Sequence, residues 1–310
     1  MTDPPFDRRS VPAKAKLSTW SASDGWRLRR IDWAQPKGAK ARGSLLFAGG
    51  RGDFIEKYLE IQNHWFERGW NVTAFDWRGQ GGSRAGVEGA AADSFDAMVG
   101  DLAGLAADWR GAFAGPHAAV GHSMGGHLLL RALAERAVAV DAAVLVAPML
   151  AINSAPVPPV AAMATANLMN AIGFGTHPAW HQATTAAPAG SLRQSILTGC
   201  TERYEDVLWW WKREPGYNLG APTWAWLKAA YESGSRLAAD LAKVAIPILL
   251  VGTDTDRLVS PGAIRRAALD LPNAELLMFP KSGHEILRER DEIRLAALTR
   301  IDAFLDEHAR

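Results

Sequence analysis

Beyond "QPKGAKARG" the sequence settles into short apolar runs separated by longer helical patterns, and this rhythm restricts the fold more than any other feature. The runs are "SLLFA", "NVTAF", "AAVGH" and "AAVLVAP", and between them lie helical patterns from about Phe54 to Arg68, Phe95 to Trp109 and Met124 to Glu135. Apolar runs of this length, bounded by turn residues, suit strands buried on both faces. Strands that alternate with helices are joined as parallel neighbours. The expected class is α/β, with a mostly parallel, doubly wound sheet. Two β-rich pieces come first, "KLSTW" and the alternating "WRLRRIDWA", separated by Ser-Asp-Gly turn chemistry.

The rhythm stops near Leu150 and resumes at "IPILLVG". A helix near Ala263–Leu269, the strand "AELLMFP" and a terminal helix from about Ile286 to Leu305 follow. The intervening stretch is too long for a loop, and "VLWWWKRE" and "TWAWLKAAYES" within it have helical character. The pattern predicts a core from residues 1–150 and 241–310, with residues 151–240 inserted as a helical cap (lid). Such a cap would lie over the C-terminal edge of the sheet, where open α/β sheets bind ligands.

A chain of 310 residues can bury a large core. Its formal net charge of +1 supplies no field to draw it to nucleic acid or to an anionic membrane, so no nucleic-acid partner is expected. One cysteine, Cys200, excludes an intramolecular disulfide and fits a cytoplasmic location. The segment MTDPPFDRRSVPAKAKLSTW lacks the continuous apolar stretch of a secretory signal. No Asp, Glu, Lys or Arg occurs between Asp141 and Arg193. Pro148, Pro156, Pro158 and Pro159 interrupt that stretch, and Asn167 and Asn170 occupy its most helical part, so it reads as a buried strand running into an apolar cover.

Residues 120–126, VGHSMGG, place Ser123 between Gly121 and Gly125 at the passage from a strand to a helix. A nucleophile on so sharp a turn needs a strained backbone and small neighbours two positions away, because strand and helix come close there. The helix beginning near Met124 offers free N–H groups to an oxyanion. Serine is a poor nucleophile at neutral pH and needs a base. Of the eight histidines, His284 in "FPKSGHEIL" lies in a loop directly after a late strand. His122 and His127 miss the i, i+4 spacing of metal ligands on one helical face and read as packing residues. Neither a metal site nor a cofactor fingerprint appears in the pattern.

The acid that orients the base should end the preceding strand, where "IPILLVGTDTDRLV" offers Asp254 and Asp256. Each lies about one βαβ unit, roughly 30 residues, before His284, so spacing alone leaves both open. A second oxyanion donor is expected from the loop "FAGGRGDFIEKY", with the Arg51 N–H as candidate beside that of Met124. The "RGD" in this loop also matches a cell-adhesion tripeptide, but three residues recur easily by chance.

Together "GGRGDFIEKY", "FDWRGQGGS", "GHSMGG", "GTDTDRLV" and "SGHEIL" resemble the α/β-hydrolase superfamily. More narrowly they resemble its bacterial lysophospholipase and monoacylglycerol lipase branch, related to serine aminopeptidases of the S33 type. The stretch Asp76 to Ser83 is a secondary signature of that branch, with a structural role beside the site, and "NLGAPTWAWLKAA" in the cap resembles the lysophospholipase group. The resemblance implies Asp256 as the acid, because Arg257-Leu258-Val259 follow it. The one-residue excess after Gly252 keeps Asp254 as the alternative, and Gly49-Gly50 stand where many members carry His-Gly.

The implied chemistry is ester cleavage through an acyl-serine, with Ser123 as nucleophile, His284 as base and Asp256 as its partner. The implied partner is a small-molecule ester or lysolipid, with transient membrane-surface contact through the cap. The uncharged stretch and the thirteen tryptophans, with Trp209, Trp210, Trp211, Trp224 and Trp226 in the cap, favour an apolar acyl pocket. An aminopeptidase would need an acidic patch for a free amino terminus, for which Glu205, Asp206 and Glu214 are available. A small-ester carboxylesterase and a non-catalytic binding protein of the same fold are the remaining alternatives. Epoxide hydrolases and dehalogenases of this fold carry an aspartate where this chain has Ser123.

Overall fold

The structure, a computed structural model, describes residues 6–86, 92–180 and 187–310. Its eight strands are β1 (Ala15–Ser21), β2 (Arg27–Trp33), β3 (Gly43–Ala48), β4 (Trp70–Phe75), β5 (His117–His122), β6 (Ala142–Val146), β7 (Ile248–Thr253) and β8 (Ala274–Phe279). They form one sheet in the order β1-β2-β4-β3-β5-β6-β7-β8. β1 and β2 run antiparallel at one edge, and the six strands from β4 to β8 are parallel to one another. The strand order reverses between β3 and β5, so a crevice opens beyond their carboxyl ends, the usual ligand site of such sheets.

Successive strand residues alternate between two buried layers. Leu46, Ala119, Leu145 and Leu250 face one side, and Leu45, Val120, Val144 and Leu249 face the other. The first layer is closed by α2 (Phe95–Ala112), α3 (Met124–Ala134) and α8 (Pro261–Asp270), the second by α1 (Leu59–Glu67) and α9 (Asp291–His308). Two helices start later than their periodicity suggests. Ile55–Tyr58 and Ile286–Arg288 are single 3₁₀ turns ahead of α1 and α9. The second interruption falls where the Glu289 carboxylate receives the N–H groups of Gly199 and Gly283 at 2.7 and 2.8 Å.

Between β6 and β7 the chain inserts α4 (Pro159–Ala171), α5 (Leu192–Leu197), α6 (Thr201–Arg213) and α7 (Trp224–Asp240). The buried side chains of α6 and α7 join the two layers that flank the sheet. Val207 and Trp210 belong to the layer of α1 and α9, while Trp226, Leu227, Ala230 and Leu237 belong to the layer of α3. Of three consecutive tryptophans, Trp210 is buried and Trp209 and Trp211 pack beside it. No helix of the described residues is long and apolar enough to cross a membrane.

Candidate active site

Ser123 stands between β5 and α3 with φ 52° and ψ −118°, a backbone conformation that costs a non-glycine residue about 1–3 kcal/mol. The surrounding backbone fixes it. Its N–H donates to the Val146 carbonyl at 2.9 Å, and its carbonyl accepts from Met149 at 3.0 Å and His127 at 3.1 Å. A Cβ at Gly121 would lie 2.6 Å from the Gly126 Cα, and one at Gly125 would collide with the carbonyl oxygens of Ala48 and Gly49. The two glycines are thus required by the crossing of β3, β5 and α3. Ser94, Ser191 and Ser260 begin their helices by accepting a bond from the N–H three residues on, which is the ordinary use of a serine there. Ser123 makes no such bond, so its hydroxyl is not spent on the helix.

His284 follows β8, and its Nδ1 lies 2.8 Å from Asp256 Oδ2 beyond β7. The other Asp256 oxygen accepts from the N–H groups of Leu258 and Val259 at 2.8 and 3.0 Å. Burial pushes the Asp256 carboxyl up, but the His284 charge and these hydrogen bonds outweigh it and hold the group below its ordinary range. Burial likewise opposes charge on His284, yet Asp256 more than offsets it and the ring is held above its usual 6.5. Asp254, the other aspartate that spacing leaves open, is turned to Arg265 at 2.5 Å and its side chain is exposed. The His284 and His122 rings are 5.0 Å apart, which brings the imidazole beside the residue preceding Ser123. Among the described residues no hydrogen bond joins Ser123 Oγ to His284. Such bonds are often long until substrate is bound.

The loop after β3 presents the second set of groups. Gly50 donates to Asp53 Oδ2 at 2.5 Å and Gly52 donates to Gln80 Oε1 at 2.6 Å. Between them the Arg51 N–H has no partner among the described residues, nor has that of Met124 at the start of α3. A Cβ on Gly50 would come within 3.0 Å of the Ser123 Cβ, so this loop touches the Ser123 bend.

The Asp76–Ser83 stretch props the same loop at three points. Trp77 Nε1 donates to the Gly49 carbonyl at 2.7 Å, Gln80 holds Gly52, and Asp76 Oδ1 accepts from Ile55 at 2.8 Å. Burial pushes the Asp76 carboxyl up to about 6 against the pull of Arg29. Below the loop Asp53 Oδ2 is 3.0 Å from His122 Nδ1, which is also 3.0 Å from the Tyr58 hydroxyl. Lys57 bridges Asp53 and Glu285, the residue next to His284. His122 therefore carries polar contacts beyond the packing expected of it. His127 reaches Ser233 Oγ at 2.7 Å, and burial drives its ring down to about 3.

Asp53, Tyr58, Trp77 and Gln80 lie inside motifs visible in the sequence, but their contacts are long-range, and no spacing rule identifies them. The acidic residues considered for an amino terminus are dispersed. Asp206 is held by Arg8 and Arg9 at 2.5 and 2.7 Å, while Glu205 and Glu214 are exposed.

Comparison with known proteins places this geometry in context. A family model described as serine aminopeptidase, S33, matches residues 39–291. A probable lysophospholipase L2 of Haemophilus influenzae is 27% identical over 274 residues, covering 88% of this chain and 86% of that protein. Lysophospholipase L2 of Escherichia coli K12 is 28% identical over 285 residues, covering 85% and 80%. Among solved structures, a soluble variant of monoglyceride lipase from Saccharomyces cerevisiae superposes with a TM-score of 0.74 at 17% identity, over 98% of this chain and 99% of that one. A thermostable carboxyl esterase from Bacillus coagulans gives 0.73 at 17% identity, over 96% and 99%.

Proposed function

The chain belongs to the serine aminopeptidase S33 family and has the α/β-hydrolase fold, and from that premise we propose that it is a serine hydrolase of carboxylic esters acting on lysophospholipids or monoacylglycerols. The observation that carries this reading is the 2.8 Å His284–Asp256 pair at the sheet edge where Ser123 stands on a strained bend with an uncommitted hydroxyl.

His284 Nε2 takes the Ser123 proton as Oγ attacks the ester carbonyl, and the new oxyanion is received by the N–H groups of Arg51 and Met124. Asp256 keeps the Nδ1 proton in place and stabilises the imidazolium. The imidazolium then gives its proton to the departing alkoxide, leaving acyl-Ser123. Water attacks that ester with His284 again as base, and the fatty acid leaves as Ser123 recovers its proton.

Lipid esters are supported by the relatives named lysophospholipase L2. The insertion 151–240 acts as the cap, since α5 carbonyls bind the His284 segment and Gly220 binds Arg51. Its α4 buries only Ala166 and exposes Val160 and Leu168, and Ile172, Phe174 and Trp180 are exposed in the chain that follows it. This apolar face supports transient contact with a lipid surface, and the lone Cys200 fits action in the cytoplasm.

Fluorophosphonate should label the protein at Ser123, and Ser123→Ala should abolish both labelling and hydrolysis of a p-nitrophenyl ester series that favours decanoate over acetate. A folded Ser123→Ala protein with normal turnover overturns the mechanism, and a sharp preference for acetate overturns the lipid substrate.

A further inference from the structure

A cavity of about 80 Å³ lies between the loop after β3 and the insertion, lined by Arg51, Arg193, Tyr204, Trp211, Leu219 and Glu285 among others. Its hydrogen-bonding capacity is one-sided. Arg51 Nε, Arg193 Nε and Trp211 Nε1 are all buried and all lack an acceptor among the described residues. No side-chain acceptor lining this cavity is left over in the same way. Arg51 spends Nη1 on the Gly220 carbonyl at 2.9 Å and stacks its guanidinium over Trp226. Arg193 lies over Trp211 and has no side-chain hydrogen bond among the described residues.

The charge balance is one-sided too. Lys57 and Arg288 also line the cavity, but Asp53 and Glu285 neutralise them. Arg51 and Arg193 form no ion pair among the described residues, and the Asp93 charge only partly offsets the burial of Arg51. Burial pushes the Arg51 guanidinium down to about 10, and Arg193 pushes in the same direction. The group is still charged at neutral pH. A buried cation without a partner is destabilising until an anion reaches it.

Unpaired donors, excess positive charge and a small enclosed volume describe a receptor for a group that offers only acceptors and carries negative charge. A hydroxyl would leave the charge uncompensated, and an ammonium would be repelled. The cavity also lies beside the nucleophile, since Arg51 follows Gly50, whose backbone abuts Ser123. We infer that this cavity binds the phosphoryl group of a lysophospholipid head while the ester lies at Ser123, so that the enzyme selects lysophospholipids over monoacylglycerols. The inference rests on the ester-hydrolase reading and narrows its substrate. Bidentate guanidinium recognition is well suited to phosphoryl oxygens.

The test compares kcat/KM for a lysophosphatidylglycerol and for a monoacylglycerol of the same acyl chain, in the wild-type chain, Arg193→Gln and Arg193→Lys. The wild type should prefer the lysolipid, Arg193→Gln should lower that preference at least tenfold through KM, and Arg193→Lys should recover part of it. On the wild type alone, sn-glycerol 3-phosphate should compete with p-nitrophenyl ester hydrolysis at concentrations at least tenfold below those of inorganic phosphate. Calorimetric titration with sn-glycerol 3-phosphate should show the same site whether or not the ester is cleaved, which separates this inference from the hydrolase reading. It is overturned if sn-glycerol 3-phosphate neither binds nor competes, or if inorganic phosphate competes equally well. An unchanged selectivity in a folded Arg193→Gln chain overturns it as well.

Discussion

The Ser123 bend and the loop after β3 touch each other across Gly50 and Ser123, yet they are held by opposite means. The bend is built from backbone. Val146, Met149 and His127 fix Ser123 through main-chain bonds, and glycines let β3, β5 and α3 pass within contact. The loop is held by side chains, with Trp77, Gln80 and Asp76 arriving from beyond β4 and Asp53 reaching back from within the loop, each gripping a main-chain group. A backbone device depends on residue size at a few adjacent positions. A side-chain device depends on polar groups brought together by the whole fold, each removable at moderate cost.

The sharpest way to break this contrast is Gly125→Val. Its side chain has no space against Ala48 and Gly49, so we expect a loss above about 4 kcal/mol and little folded protein by thermal melt. A cooperative melt near the wild-type temperature would refute the steric account of the bend. Asp256→Asn should leave the fold intact and lower kcat about 10⁴-fold, whereas Asp254→Asn should stay within about twofold, since its carboxylate serves Arg265. Equal losses in the two variants would undo the assignment of the acid.

The pH profile sharpens the same point. His284 must be neutral to accept a proton, and its pKa is held above 6.5 by Asp256, so the rate should climb with pH through a value above 6.5. In Asp256→Asn that limb should move to lower pH. An unmoved limb would assign the titration to another group. On the loop side, Gln80→Ala should cost roughly tenfold in kcat with KM nearly constant, because the unheld Gly52 loosens the adjacent Arg51 N–H. A rise in KM alone would place Gln80 in substrate binding instead. Trp77→Phe leaves the Gly49 carbonyl unpaired and should cost about 1–3 kcal/mol of stability, read as a shift in urea midpoint.

The same contrast explains what could be read from sequence. The strand–helix rhythm and the Gly-x-Ser-x-Gly bend depend on local pattern and on size at fixed spacing, so β3 to β8 and the position of the Ser123 bend are legible in the sequence. The contacts of Asp53 with His122, of Trp77 with Gly49 and of Gln80 with Gly52 join residues from about 28 to 69 positions apart, and no periodicity records which partner each will meet. The aspartate ambiguity is of the same kind. Asp254 and Asp256 are equivalent by spacing and differ only in where the loop beyond β7 turns them. The bounds of α4 are not marked in the sequence, because a stretch without charged residues has little polar face to mark its period.

The segment bearing His284 is zipped to α5, with the His284 and Glu285 N–H groups donating to the Ile196 and Leu197 carbonyls at 3.0 and 2.8 Å, and Gly283 alone allows that closeness. A covering element that merely roofed the crevice could be trimmed or exchanged without touching the proton transfer. Under the proposed mechanism the roof is also the clamp on the general base. Shortening the insertion past α5 would unseat the imidazole while every residue of the reaction remained in the chain.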